Sequence, residues 1–325
     1  MRISREDILQ ALSHVRPLVP ATPQYRWPML CEALACETLV KHENHAPTGA
    51  FKIRGGLNYF GRLAGHAGSR KVVCATRGNH GQSVAMAGAL HGFDVTVVVP
   101  HGNSSEKNAA MRALGASVVE YGDDFQAARE HAGRLAQTHG WHQVPAFHEA
   151  LIAGVATYAW EFLSSASPLD IVYVPVGMGS GLCGMIAARD ALGLHTEIVG
   201  VVSAHAPAYA RAFASGIETE APADTLLADG LACRRTDPAA LAMIRRGASR
   251  FVMVTDDEIA NAMRLLFATT HNVAEGAGAA SLAAALQERP ALRGRRAGIV
   301  ITGGNVDTHT FAAVLGQNRP FAKAA

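Results

Sequence analysis

Short apolar runs alternate along this chain with longer, Ala-rich stretches. Leu39–Lys41, Lys71–Ala75, Val95–Val99, Ser117–Glu120, Ile171–Val176, Ile198–Ser203, Phe251–Val254 and Gly298–Thr302 read as strands. Several are unbroken Val/Ile runs, the pattern of a strand buried on both faces in a parallel sheet. Between them, Gly81–His91, Ser105–Leu114, Phe125–Thr138, Ala153–Ser164, Asp256–His271 and Gly278–Gln287 read as helices. The alternation predicts an α/β fold with crossover helices. The opening MRISREDILQALSHV is amphipathic with mixed charges and lacks the apolar centre of a signal peptide. Ser215–Asp224 reads as a surface loop and Lys323–Ala325 as a frayed end.

Composition narrows the function classes. A length of 325 residues suggests about two domains, and 49% apolar residues exclude global disorder. Lys and Arg number 29 against 27 Asp and Glu, a net +2, which argues against a nucleic-acid surface or a polybasic membrane anchor. No uncharged apolar stretch approaches the ~18 residues of a membrane span. The five cysteines, Cys31, Cys36, Cys74, Cys183 and Cys233, form no CxxC and suit a reducing, cytoplasmic setting.

Ligands of open α/β sheets bind beyond the carboxyl ends of strands, and three strand ends here are unusual. Lys71–Ala75 runs into Thr76-Arg77-Gly78-Asn79-His80-Gly81-Gln82, Ile171–Val176 into Gly177-Met178-Gly179-Ser180-Gly181-Leu182, and Gly298–Thr302 into Gly303-Gly304-Asn305-Val306-Asp307. The second reads as an anion cradle, with a packing turn as the alternative. Gly179 to Gly184 also satisfies GxGxxG, but the next strand ends in Ala204 and His205, without the acid a ribose needs. No P-loop fits either, so the phosphate of some other cofactor is expected. The fourth landmark is Pro47-Thr48-Gly49-Ala50-Phe51-Lys52-Ile53-Arg54-Gly55-Gly56. Its Lys and Arg suit either a solvated basic face or a desolvated lysine poised for Schiff-base chemistry.

Together these segments resemble the fold-type II pyridoxal-phosphate enzymes, in the threonine dehydratase and serine racemase branch. PTGAFKIRGG resembles the cofactor-lysine motif, TRGNHGQS the substrate-carboxylate loop, GMGSGL the phosphate loop and TGGNVD the pyridine-nitrogen motif. TPQYRWPML and EGAGAASLAA also fit, so the resemblance covers nearly the whole chain. It implies two open, doubly wound parallel-sheet domains like those of the tryptophan synthase β subunit. Residues 1–47 and 148–325 would form the large cofactor-binding domain, with 48–147 inserted as a smaller one. Pyridoxal 5′-phosphate is the implied cofactor and a homodimer the implied assembly, with a small amino acid as substrate and no nucleic acid or membrane partner.

The resemblance also implies roles. Lys52 would bond the cofactor covalently and carry protons at the substrate's α carbon. Phe51 would pack near the ring, and Asn79 would hydrogen-bond its phenolic oxygen. Gly177, Met178, Gly179, Ser180 and Gly181 would cradle the phosphate, and Thr302, commonly Ser in the family, would meet the pyridine nitrogen. Thr76, Gly78, Asn79 and His80 would hold the substrate carboxylate, with helix capping as the bland alternative for His80.

Several positions depart from the family. Arg77 stands where a small residue is usual, and where racemases carry Ser as their second proton carrier. A permanent cation is a poor base, so racemase activity is disfavoured. Arg77 could stack on the cofactor ring, pair with a carboxylate or point into solvent. The Pro145–Ala150 segment, expected near the substrate side chain, also differs. Asp229 lies in a segment that in the family flanks a cation site, but no metal is assigned. The chain ends soon after Asp307, so no regulatory domain of the biosynthetic dehydratases is expected.

The expected activity is therefore α,β-elimination from a β-hydroxy-α-amino acid to a 2-oxo acid and ammonia. Threonine and serine are the default substrates. The chain's length and motifs also resemble small phenylserine dehydratases, making 3-phenylserine a candidate. The rivals are a racemase, a β-replacement enzyme of the same fold, and a non-catalytic ligand-binding protein.

Overall fold

The computed structural model describes residues 1–66, 68–164 and 167–316; the frayed end expected at 323–325 lies outside them. Ten strands form two sheets. The first is six-stranded, in the order β1 (Gln24–Arg26), β2 (Glu37–His42), β10 (Arg296–Ile301), β7 (Ile171–Pro175), β8 (Glu197–Ser203) and β9 (Arg250–Val254). The second is four-stranded, in the order β5 (Ser117–Glu120), β4 (Asp94–Val99), β3 (Lys71–Ala75) and β6 (His142–Gln143). Every pairing is parallel except β1 with β2. The α/β class with parallel sheets is therefore observed. β7 is buried at all five positions, as its unbroken apolar run requires. Among the described residues no helix is long and apolar enough to cross a membrane.

The eight expected strands are present within one or two residues of their expected ends. β1 and β6, of three and two residues, carry too little pattern to be read. Among the helices, Asn79–Leu90 begins two residues earlier than its periodicity suggests, and Glu149–Leu163 four earlier. Lys52–Leu63 was not legible as a helix at all. Gly55 and Gly56 lower its intrinsic propensity, yet here they are notches. A Cβ on Gly55 would lie 2.9 Å from the Leu151 carbonyl oxygen, and one on Gly56 would strike Ser83. Gly154, on the facing helix, would strike the Arg54 carbonyl. Tertiary packing has overridden local preference so that helices 52–63, 79–90 and 149–163 approach closely.

Beneath this junction lies a buried ion network. Arg54 Nε donates to Glu43 Oε2 at 2.8 Å and Arg54 Nη1 to Glu161 Oε1 at 3.0 Å, while Lys41 Nζ donates to Glu161 Oε2 at 2.8 Å. Arg54, Lys41 and Glu43 have fully buried side chains. Burial alone would lower the Arg54 pKa, but the carboxylates of Glu43 and Glu161 raise it. Two cations against two carboxylates satisfy each other only as a set. Glu161→Ala strands two buried cations on one remaining carboxylate and should cost roughly 3–5 kcal/mol in denaturant unfolding. Asp94→Ala, removing the exposed partner of Lys71 at 3.6 Å, should cost under about 1 kcal/mol. Equal losses would show that the network stabilises no more than a surface pair.

Candidate active site

The ends of β3, β7 and β10 converge on one place. The segment before Lys52 is stitched to the turn after β10: Phe51 N–H donates to the Thr302 carbonyl at 3.0 Å, Gly304 N–H donates to the Gly49 carbonyl at 2.9 Å, and Ala50 bridges Gly303. Gly49 takes φ +67°, and a Cβ there would run into the Asn305 amide. The partly buried Lys52 then opens its helix with Nζ donating to Ser180 Oγ at 2.9 Å. Phe51 packs edge-on against Tyr158, beside the Lys52 ammonium.

Ser180 is the first residue of helix 180–191. Gly179 precedes it at φ +93°, and no side chain caps the helix. The first-turn N–H groups are thus left for an anion. A Cβ on Gly177 would strike the Gly230 carbonyl. The Met178 carbonyl accepts from Tyr209 Oη at 3.1 Å, and Tyr209 in turn accepts from Asp237 N–H at 3.1 Å, which fixes the loop from below.

Asn79 and His80 begin helix 79–90 across the cleft. Asn79 Nδ2 donates to Glu275 Oε1 at 2.6 Å, and Asn79 Oδ1 accepts from Asn305 Nδ2 at 2.8 Å. His80 Nε2 is buried with no hydrogen-bond partner among the described residues. Burial, reinforced by the Lys52 charge, holds His80 down to about 3, so the ring is neutral. Thr76, buried, accepts from Gly78 N–H at 3.2 Å and closes the loop. Thr302 is buried at the end of β10. Arg77 is exposed, and no described ring or carboxylate contacts it.

Three groups here went unassigned from sequence. Glu275 is buried at the N-cap of helix 276–287; it opens the EGAGAASLAA segment, which fitted the resemblance without giving this acid a role. Asn305 lay within a recognised motif without a role. Lys107 reaches Asp229 at 3.2 Å. Asp229, which the family resemblance sets in a segment beside a cation site, pairs with this lysine. Burial opposes the Lys107 charge, but Glu275, Asp229 and Asp307 raise its pKa. A cavity of about 120 Å³ opens beside this pair, lined also by Glu275 and Asn305.

The arrangement sets the Lys52 amine beside an uncapped helix N-terminus. His80 Nε2 is a buried imidazole nitrogen without a partner among the described residues, and in the loop a side chain is barred at Gly177 by the Gly230 carbonyl and strained at Gly179 by its φ of +93°; both features suit a small phosphate-bearing ligand. Phe147, in the divergent 145–150 segment, packs against the same apolar cluster as Phe51 and Met178.

The family model described as pyridoxal-phosphate dependent enzyme matches residues 15–303. The chain is similar to an L-threonine ammonia-lyase of Thermotoga maritima, 31% identical over 97% of this chain and 79% of the relative. It is also similar to an L-threo-3-hydroxyaspartate ammonia-lyase of a Pseudomonas species, 32% identical over 96% of this chain and 98% of the relative. Among solved structures, maize serine racemase superposes with a TM-score of 0.90 at 25% identity, covering 96% of this chain and 97% of that one.

Burial pushes Lys52 down to about 8, with Glu275 opposing. A neutral amine is the reactive form, so its reactivity should rise with pH through about 8. A surface lysine titrates near ~10.4. Labelling the cofactor-free protein with pyridoxal and borohydride at a series of pH values, read by peptide mass spectrometry, should show this midpoint at Lys52, below that of surface lysines as a class. A shared midpoint would mean that Lys52 is not desolvated.

Proposed function

The chain belongs to the pyridoxal-phosphate dependent enzymes, and on that premise we propose that it is an ammonia-lyase converting a β-hydroxy-α-amino acid to a 2-oxo acid and ammonia. The observation that carries the reading is Lys52 Nζ at 2.9 Å from Ser180, on the first turn of an uncapped helix. It supports reading Lys52 as a nucleophilic amine beside an anion cradle, in a chain related to ammonia-lyases that act on hydroxy amino acids. The cofactor is pyridoxal 5′-phosphate, which when bound supplies a carbonyl for amines and an electron sink for charge at the α carbon.

In this reading the N–H groups of Gly177 to Gly181 hold the phosphate, aided by the helix terminus. Lys52 would tether the cofactor, and its Nζ, once free, would take the α proton. The same ammonium, or a proton from the phosphate side, meets the β hydroxyl as it leaves as water. The released unsaturated amine takes up water to give the 2-oxo acid and ammonia. Thr76, Gly78, Asn79 and His80 bind the substrate carboxylate through the first turn of helix 79–90. The neutral, unpartnered His80 Nε2 suits a donor or acceptor to substrate. Thr302 meets the pyridine nitrogen with a neutral hydroxyl, which does not force that nitrogen to stay protonated. Phe51 backs the ring.

Arg77 stands where racemases carry Ser as their second proton carrier, and a guanidinium is a poor base, which favours elimination over racemisation. Its side chain is exposed, two residues before Asn79. Threonine and serine are the first substrates of this reading. Phe147 and the divergent segment around it make 3-phenylserine a further one. The five free cysteines accord with a cytoplasmic enzyme, and exposed Tyr25 and Met29 with a homodimer.

A panel of threonine, serine, 3-hydroxyaspartate and 3-phenylserine, assayed for ammonia and 2-oxo acid, tests the activity. At least one should turn over, and Lys52→Ala should abolish turnover and the cofactor's visible absorbance while leaving thermal stability of the cofactor-free protein unchanged. Near-parental ammonia release by Lys52→Ala would exclude the lysine. Optical inversion outpacing oxo-acid release would favour the racemase.

A further inference from the structure

We propose that Glu275 and Asn305 are positioning residues that hold the Asn79 side-chain amide in one orientation, leaving one of its N–H bonds aimed at the cofactor ring oxygen. The inference rests on the reading of Asn79 as a cofactor contact and extends it to two residues without a role.

The argument starts from a main-chain carbonyl. Asn305 Nδ2 donates to the Thr48 carbonyl at 2.8 Å. A carbonyl oxygen only accepts, so the atom of Asn305 that faces it is the NH2. The same Nδ2 lies 2.8 Å from the Asn79 side chain, so Asn79 presents its oxygen there. Its NH2 then faces Glu275 Oε1, at 2.6 Å. An amide whose two ends are often interchangeable is fixed at both by partners on the opposite side of the cleft. Glu275 takes one of the two N–H bonds of Asn79, and the other remains.

Glu275 is itself held for this task. Its N–H donates to the Gly303 carbonyl at 3.0 Å, and its side chain makes no cap bond to its own helix. A Cβ on Gly303 would lie 2.5 Å from Glu275 Oε1, so the glycine of the turn after β10 leaves room for the carboxylate. Burial raises Glu275 to about 7, opposed by Lys107 and the Asn79 bond. Protonated or not, Oε1 retains a lone pair for Asn79. The requirement is an acceptor, not a charge.

That distinction sets the test. Pyridoxal 5′-phosphate affinity and the visible absorbance maximum are measured on the full chain for Asn79→Ala, Glu275→Ala, Glu275→Gln and the Asn79→Ala/Glu275→Ala double variant. Glu275→Ala should weaken cofactor binding about tenfold, the scale of one buried hydrogen bond, and shift the absorbance as Asn79→Ala does. Glu275→Gln, which keeps an acceptor oxygen, should stay within about threefold of the parent. The double variant should bind within about twofold of Asn79→Ala alone. Multiplying effects in the double variant, or a Glu275→Gln defect as large as that of Glu275→Ala, would overturn the inference while leaving Asn79 as a contact. An Asn79→Ala protein with unchanged affinity and spectrum would overturn both. Should Glu275→Ala fail to fold, Asn305→Ala breaks the other end of the lock, and the same comparison with Asn79→Ala decides.

Discussion

Arg54 has a fully buried side chain and stands two residues after Lys52. A guanidinium cannot lose its charge to escape burial, so the fold must bring carboxylates to it. Glu43 arrives from the segment after β2 and Glu161 from helix 149–163, while Lys41 balances the second acid. Only when these elements are seated can the helix bearing Lys52 lie where it does. The position of the reactive amine is thus tied to a charge balance deep in the protein.

The site is assembled by backbone as much as by side chains. Hydrogen bonds from Phe51 to Thr302 and from Gly304 to Gly49 join the approach to Lys52 with the turn after β10. Ser83 Oγ donates to the Lys52 carbonyl at 2.7 Å and ties helix 79–90 to the same point. Glycines at the crossings let main chain approach main chain. Such rigid seating is what a cofactor needs from a protein, because the protein supplies position and electrostatics while the cofactor supplies the difficult chemistry.

The cleft also brings opposed charges into partial burial. Lys52, Glu275 and Lys107 influence one another, and each is displaced from its ordinary titration. Burial dominates for the first two, bringing an amine and a carboxyl near neutrality. Groups so placed can hold or release protons at ordinary pH.

The sequence alone pointed to the α/β class, because unbroken Val/Ile runs alternating with Ala-rich helices suit parallel strands covered on both faces. It also exposed the glycine loop, the Lys52 motif and the strand-end segments, since turns that bind ligands demand particular residues at short range. Tertiary structure alone decided the rest. Helix 52–63 is invisible in a segment containing Gly55 and Gly56, for their value lies in the neighbours they admit. Glu275 lies 196 residues from Asn79, and Lys107 lies 122 residues from Asp229. No local pattern records either pairing, because a buried carboxylate is marked by what surrounds it in space, and those surroundings exist only once the two sheets close on one another.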